Sequence, residues 1–190
     1  MPELSLSYDP SVWLDVSGPV EDFPARARAV LASAGGDSGE APAPALAERL
    51  TRVMAAAHNP ESALALLLLA EPLEPPVIVT AGAEPVEPAA DVMAVVGGPG
   101  TGRTAAFEAF ELPSGAPAAR LLDRATMSQL TGKPVVPDEG DPVIAGLWHC
   151  RLTGAAPDQR LVTLIVFTER FELLPTLDGL MASLLDSVQT

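Results

Sequence analysis

A single cysteine, Cys150, stands in 190 residues, so no intramolecular disulfide can form and a disulfide-stapled scaffold is excluded. Lysine is nearly absent as well. Lys133 is alone among the cations, the rest being Arg, and Lys plus Arg total 11 against 25 Asp plus Glu, a formal net charge of −14. Such a chain repels phosphate backbones and has no Lys/Arg run to release counterions, which excludes nucleic acid as a default partner. An anionic membrane surface is excluded for the same reason. The Arg-over-Lys skew, with abundant Ala and 20 Pro, is the composition of a GC-rich bacterial gene. Aromatic residues make up only 4% of the chain, too few to line a sugar cleft in which paired carboxylates would do glycoside chemistry. With two His and one Cys, neither a transition-metal cluster nor any other cofactor is expected. No long hydrophobic run exists, since residues 63–70 fall far short of the roughly 20 that span a bilayer. Residues 1–13 lack the basic and apolar regions of a signal peptide, and a cytoplasmic protein is expected.

What is present is enough apolar material for a core. Hydrophobic residues are 48% of the chain and charged residues 19%, a globular balance rather than a disordered one. The length suits one ordinary domain, residues 1–190, interrupted by Gly/Pro/acid-rich mobile loops near 35–44, 84–88 and 131–142.

Alternation of Leu4, Leu6 and Tyr8 with serines predicts a short strand ending at Asp9-Pro10, after which Trp13 anchors the chain to the core. Phe23, Ala27, Val30, Leu31 and Ala34 recur at helical spacing, with Asp22 as N-cap and Pro24 in the first turn. A second helix is predicted from about Ala45 to His58, with Leu46, Leu50, Val53, Met54 and Ala57 on its apolar face. Residues 62–71 are ambiguous between helix and strand. The β-branched run Val77 to Thr80 needs a pairing neighbour, which favours a hairpin.

Beyond a Pro/Glu stretch at 84–88 and the apolar run Val92 to Val96, two strands, 104–112 and 118–127, flank the turn Pro113-Ser114-Gly115. Residues 143–152 place Ile144, Trp148, Cys150 and Leu152 on one strand face and Leu147, His149 and Arg151 on the other. Leu161 to Thr168 is apolar on both faces, as a central strand is. Pro175 opens a last helix whose stripe is Leu177, Leu180, Met181, Leu184, Leu185 and Val188, expected to lie across the sheet. This order predicts an α+β fold, a largely antiparallel sheet with helices packed on its faces, an α/β sandwich.

Gly97-Gly98-Pro99-Gly100-Thr101-Gly102-Arg103-Thr104 has the spacing of a phosphate-binding loop, with Thr104 where a magnesium-binding hydroxyl would sit. Arg103 replaces the lysine whose compact ammonium reaches the terminal phosphates, and the two cations are not interchangeable there. The plainer reading is a Gly/Pro turn. In the alternative reading, a nucleotide-binding protein, Gly97, Gly98, Gly100, Gly102, Arg103 and Thr104 bind phosphate, which requires Val92–Val96 to be a parallel strand and a helix to follow the loop.

Other candidates are thinner. His149 and Cys150 are strand neighbours on opposite faces and cannot form a nucleophile pair, so a surface imidazole and a small core thiol are expected. His58 falls at a helix C-terminus, where a hydrogen-bonding side chain is favoured. Asp138, Glu139 and Asp141 miss the spacing of a calcium loop. No serine sits in a nucleophile elbow, and no catalytic or metal set emerges.

The early strand with Trp13, the phrase Glu111-Leu112-Pro113-Ser114-Gly115-Ala116-Pro117-Ala118-Ala119-Arg120, the paired strands near 143–168 and the ending Leu177 to Val188 resemble the PsbP-like group of small α/β sandwich proteins. The resemblance lies in order of elements and brings no site residues with it. It implies a non-catalytic accessory protein that binds other proteins. With −14 net charge and Pro-rich loops, the expected partner is another protein bearing a basic or apolar patch, the oligomeric state being left open.

Overall fold

The computed structural model describes residues 5–34, 44–58, 64–69, 75–89, 91–96, 107–126 and 141–188. Among them are seven strands and four α-helices, an α+β fold with a largely antiparallel sheet and helices packed against it, as the order of elements predicts. The chain divides into two compact units, Tyr8–Thr80 and Ala81–Thr190 with Met1–Ser7. Strand β3 (Ile78–Pro85) contributes residues to both.

In the first unit, β1 (Trp13–Asp15) runs antiparallel to β2 (Leu64–Leu68), with Trp13 opposite Leu68. Helices α1 (Phe23–Ala34) and α2 (Pro44–Ala57) pack on each other. Their core joins Phe23, Ala27, Leu50, Val53, Met54 and Ala57 to Leu14, Val16, Ala65 and Leu67. Two expectations are corrected here. Among the described residues of the first alternating stretch there is no strand: Ser5 makes only an isolated bridge and residues 6–8 are irregular. The Asp9 carboxylate accepts from the Ser11 amide (2.8 Å), and its carbonyl accepts from the Val12 and Trp13 amides (3.0 and 2.9 Å). That turn falls at Asp9-Pro10, where it is expected, and β1 follows it at Trp13. Leu46 is exposed, and Ala47 lies in the core instead, because Ala47, Leu50, Met54 and Ala57 form a 3-4-3 stripe that leaves residue 46 at its margin. Residues 64–68 are strand, the hairpin reading of the ambiguous segment.

The second unit carries strands in the order β3-β7-β6-β5-β4. These are β4 (Glu108–Glu111), β5 (Pro117–Thr126), β6 (Val143–Thr153) and β7 (Arg160–Thr168). The pairs β4–β5, β5–β6 and β6–β7 are all antiparallel. The β4–β5 turn needs Gly115, whose φ of +83° suits a residue without Cβ. Glu84 and Pro85, expected in a loop, close β3, and the next residues are tied down by Val86 N–H to Gln159 O (3.1 Å) and Ala89 N–H to Gln159 Oε1 (2.8 Å).

Both faces of this sheet are covered. The short helix α3 (Val92–Val96) packs with Ala119, Cys150 and Leu161. On the opposite face, α4 (Leu174–Asp186) lies over β6 and β7 and buries Leu177, Met181, Leu184 and Leu185. Pro175 stands in its first turn, as predicted.

The C-terminal end of α4 is held by Arg151 of β6. Its Nη1 donates to the carbonyls of Leu185 (3.1 Å) and Asp186 (3.3 Å), and its Nη2 to that of Val188 (3.5 Å). A guanidinium there satisfies orphan carbonyls and opposes the negative end of the helix dipole. Arg151→Ala is expected to lower stability by about 1–2 kcal/mol in urea unfolding, the range for charge-assisted bonds at a helix end. Arg151→Lys should recover only part of that loss, since one ammonium cannot reach three carbonyls at once.

Candidate functional site

The α4 face of the second unit carries a polar cluster assembled by strand register. Antiparallel pairing sets Glu108 opposite Arg120, and Arg120 opposite His149. The three side chains therefore stand in a row on one face. Helix α4 brings Asp178 onto that row. Arg120 Nη1 donates to Asp178 Oδ2 at 2.7 Å, and His149 Nε2 lies 2.8 Å from Asp178 Oδ1. Arg120 also pairs with Glu108 through Nε, at 3.6 Å. Phe110 on β4 packs against both, its ring centroid 5.0 Å from that of His149 with the planes tilted at 54°, and 5.6 Å from the Arg120 guanidinium carbon.

His149 has no solvent exposure. Burial holds its pKa below the ordinary imidazole value; the bond to Asp178 and that carboxylate's charge pull upward, while Arg120 pulls down. A carboxylate only accepts, so Nε2 carries the proton. Nδ1 is then a bare lone pair, and no described group hydrogen-bonds to it. A carboxylate-oriented imidazole is half of a proton relay. Among the described residues, no serine or cysteine completes it at Nδ1.

Beside this cluster opens a groove of about 460 Å³, lined by Glu108, Arg120, Leu122, Leu147, Leu174, Pro175 and Asp178. Leu122 follows Arg120 on the same strand face and is 50% exposed. A large aliphatic side chain half in water beside two carboxylates and a guanidinium is a mixed surface of the kind that partners cover.

The surface imidazole expected at residue 149 is corrected by this arrangement. The alternation holds, with His149 and Cys150 on opposite faces, but α4 packs over the first and α3 over the second. Cys150 is buried, as expected, with Sγ 3.6 Å from Thr163 Oγ1. His58 follows the end of α2, where its Nδ1 lies 2.9 Å from the Val16 carbonyl oxygen and its ring meets Phe23 edge-on.

Residues Gly97, Gly98, Gly100, Gly102, Arg103 and Thr104 lie outside the described residues, as do Asp138 and Glu139. What flanks the loop is described: a helix at Val92–Val96 before it and a strand at Glu108–Glu111 after it. The phosphate-loop reading called for a strand before and a helix after.

Glu108, Arg120 and Asp178 did not stand out in sequence. One signal could have found Asp178. It is an acidic residue beside Leu177 and three positions before Met181, at the margin of an apolar stripe, where a carboxylate needs a cation or donor from the surface it meets. Among the described residues no group of three or more His, Cys, Asp or Glu is placed to hold a metal ion, and no helix is long and apolar enough to cross a membrane. Compared with protein-family models, curated proteins and solved structures, the chain matches none.

Proposed function

We propose that this is a non-catalytic binding protein that acts through protein–protein interaction, with the groove along α4 as its binding surface. The observation that carries the reading is the half-exposed Leu122 set among Glu108, Arg120 and Asp178. The polar groups are already ordered by one another and by Phe110, so a partner meets a surface that is preorganised rather than one it must arrange. The order-of-elements resemblance to PsbP-like proteins points the same way. The nucleotide-binding alternative draws no support from the flanks of its loop.

The test is capture of partners on tagged protein from native lysate, wild type against Leu122→Asp. Leu122 is exposed enough for the variant to fold, which its unfolding midpoint would verify. A protein retained by the wild type in near-stoichiometric amount and lost from the variant supports the reading. An identical set of retained proteins with both baits removes the groove from the interaction.

A further inference from the structure

The chemistry of the groove narrows what its occupant must be. Two carboxylates, Glu108 and Asp178, share one guanidinium, Arg120. The sharing is unequal. Asp178 is held at 2.7 Å and also receives His149, whereas Glu108 meets Arg120 only at 3.6 Å and its side chain is 73% exposed. Glu108 thus keeps acceptor capacity facing outward. Arg120 has less to offer an anion, because its Nη1 and Nε are directed at carboxylates and its guanidinium carbon lies 5.6 Å from the Phe110 ring centroid. An incoming carboxylate or phosphate would also have to approach past Glu108 and Asp178, against the field of a chain carrying −14. The remaining walls are Leu122, Leu147, Leu174 and Pro175. A volume of about 460 Å³ is within the range of sites that take a drug-sized ligand, which is also the bulk of two or three side chains.

Resting on the reading that the groove is a docking surface, we infer that it receives an arginine or lysine side chain of a partner protein at Glu108 and Asp178, with an adjacent aliphatic residue of that partner lying on Leu122, Leu174 and Pro175. The cation supplies the charge the two carboxylates lack, and the aliphatic neighbour covers the surface Leu122 leaves in water. Complementary charge of this kind sets register and encounter rate, and the apolar contact supplies burial.

Three capped peptides test it: acetyl-Leu-Arg-Leu amide, its Glu counterpart with Arg replaced by Glu, and a Gln counterpart. Each is titrated into the full ¹⁵N-labelled chain at low salt, with amide shifts as the readout. The Arg peptide is expected to shift the amides of Glu108, Leu122 and Asp178 saturably, with a Kd about tenfold or more below that of the Glu peptide. Added salt should narrow the difference. Glu108→Arg, a change at an exposed side chain, should reverse the preference, and Glu108→Gln should shrink it.

Equal or tighter binding of the Glu peptide would overturn the cation inference while leaving the groove as a docking surface. Absence of any saturable shift at these amides with all three peptides would overturn the inference and count against the docking surface too. A preference for Arg that Glu108→Arg leaves unchanged would place the cation elsewhere, and would also overturn it.

Discussion

Gly146→Ala is expected to destabilise the protein by about 1–3 kcal/mol, the range for forcing extra volume into a packed site. A Cβ on residue 146 would overlap Cη2 and Cζ3 of Trp148 and stand 3.0 Å from Cε1 of Phe167. The cause is register. Gly146 faces Phe167 across the β6–β7 pair, and Trp148 is two residues on, on the same side of the sheet. The indole folds back over the glycine and meets the Phe167 ring edge-on, centroids 5.4 Å apart at 88°. In an ordinary strand position the same change would stabilise by about 0.5–1 kcal/mol, since Ala loses less entropy than Gly on folding. The sign therefore reports whether the indole is seated there. Urea unfolding of Gly146→Ala, Trp148→Leu and the double variant forms a cycle. With the indole gone, adding the methyl should cost less than about 1 kcal/mol, a coupling well beyond additivity. A single variant as stable as the wild type would show that Trp148 does not occupy the space above Gly146.

The strands that carry this packing were legible because their periodicity is strong. Alternation through Val143 to Leu152 and the two-sided apolar run Leu161 to Thr168 set β6 and β7, and Pro175 with the Leu/Met stripe set α4. Where the signal is short it fails. Three apolar residues alternating with serines are too short a signal, and residues 6–8 form no strand. The five residues of α3, Val-Met-Ala-Val-Val, are too few for a helical period to show. Leu46 sits at the edge of the α2 stripe, where helical periodicity leaves a margin of about one residue and packing decides burial.

The candidate site was hidden for a different reason. Its members come from four elements, and they meet only once Arg120 stands opposite His149 and α4 crosses the face that holds them. Alternation says that His149 and Cys150 diverge. It does not say which face acquires a roof, and here both do.

The burial of His149 carries the second large effect. Asp178→Ala is expected to cost roughly 2–4 kcal/mol at pH 7.5. Most of that is the buried Nε2–H left without an acceptor, about 1–3 kcal/mol. The Arg120 ion pair adds less, because both side chains are more than a third exposed and water screens them. The pH dependence distinguishes this account from simple loss of packing. The folded-state pKa of His149 is depressed, with burial the largest cause, so its contribution to stability is fully present above the unfolded value of about 6.5. As pH falls below that value the unfolded chain takes up a proton the folded chain refuses, and stability drops by at most about 1.4 kcal/mol per pH unit until the folded pKa is passed. In Asp178→Ala the carboxylate that opposes the depression is gone. The decline with falling pH should then extend further into acid than in the wild type. In His149→Phe, which keeps a ring against Phe110 but has no proton to bind, the decline between pH 7.5 and 5.5 should be shallower than in the wild type. Urea unfolding of the three proteins at pH 7.5, 6.5 and 5.5 reads these slopes directly. Should the wild type instead gain stability relative to His149→Phe as the pH falls, the attraction of Asp178 would outweigh burial, and residue 149 would be an imidazolium in the folded protein.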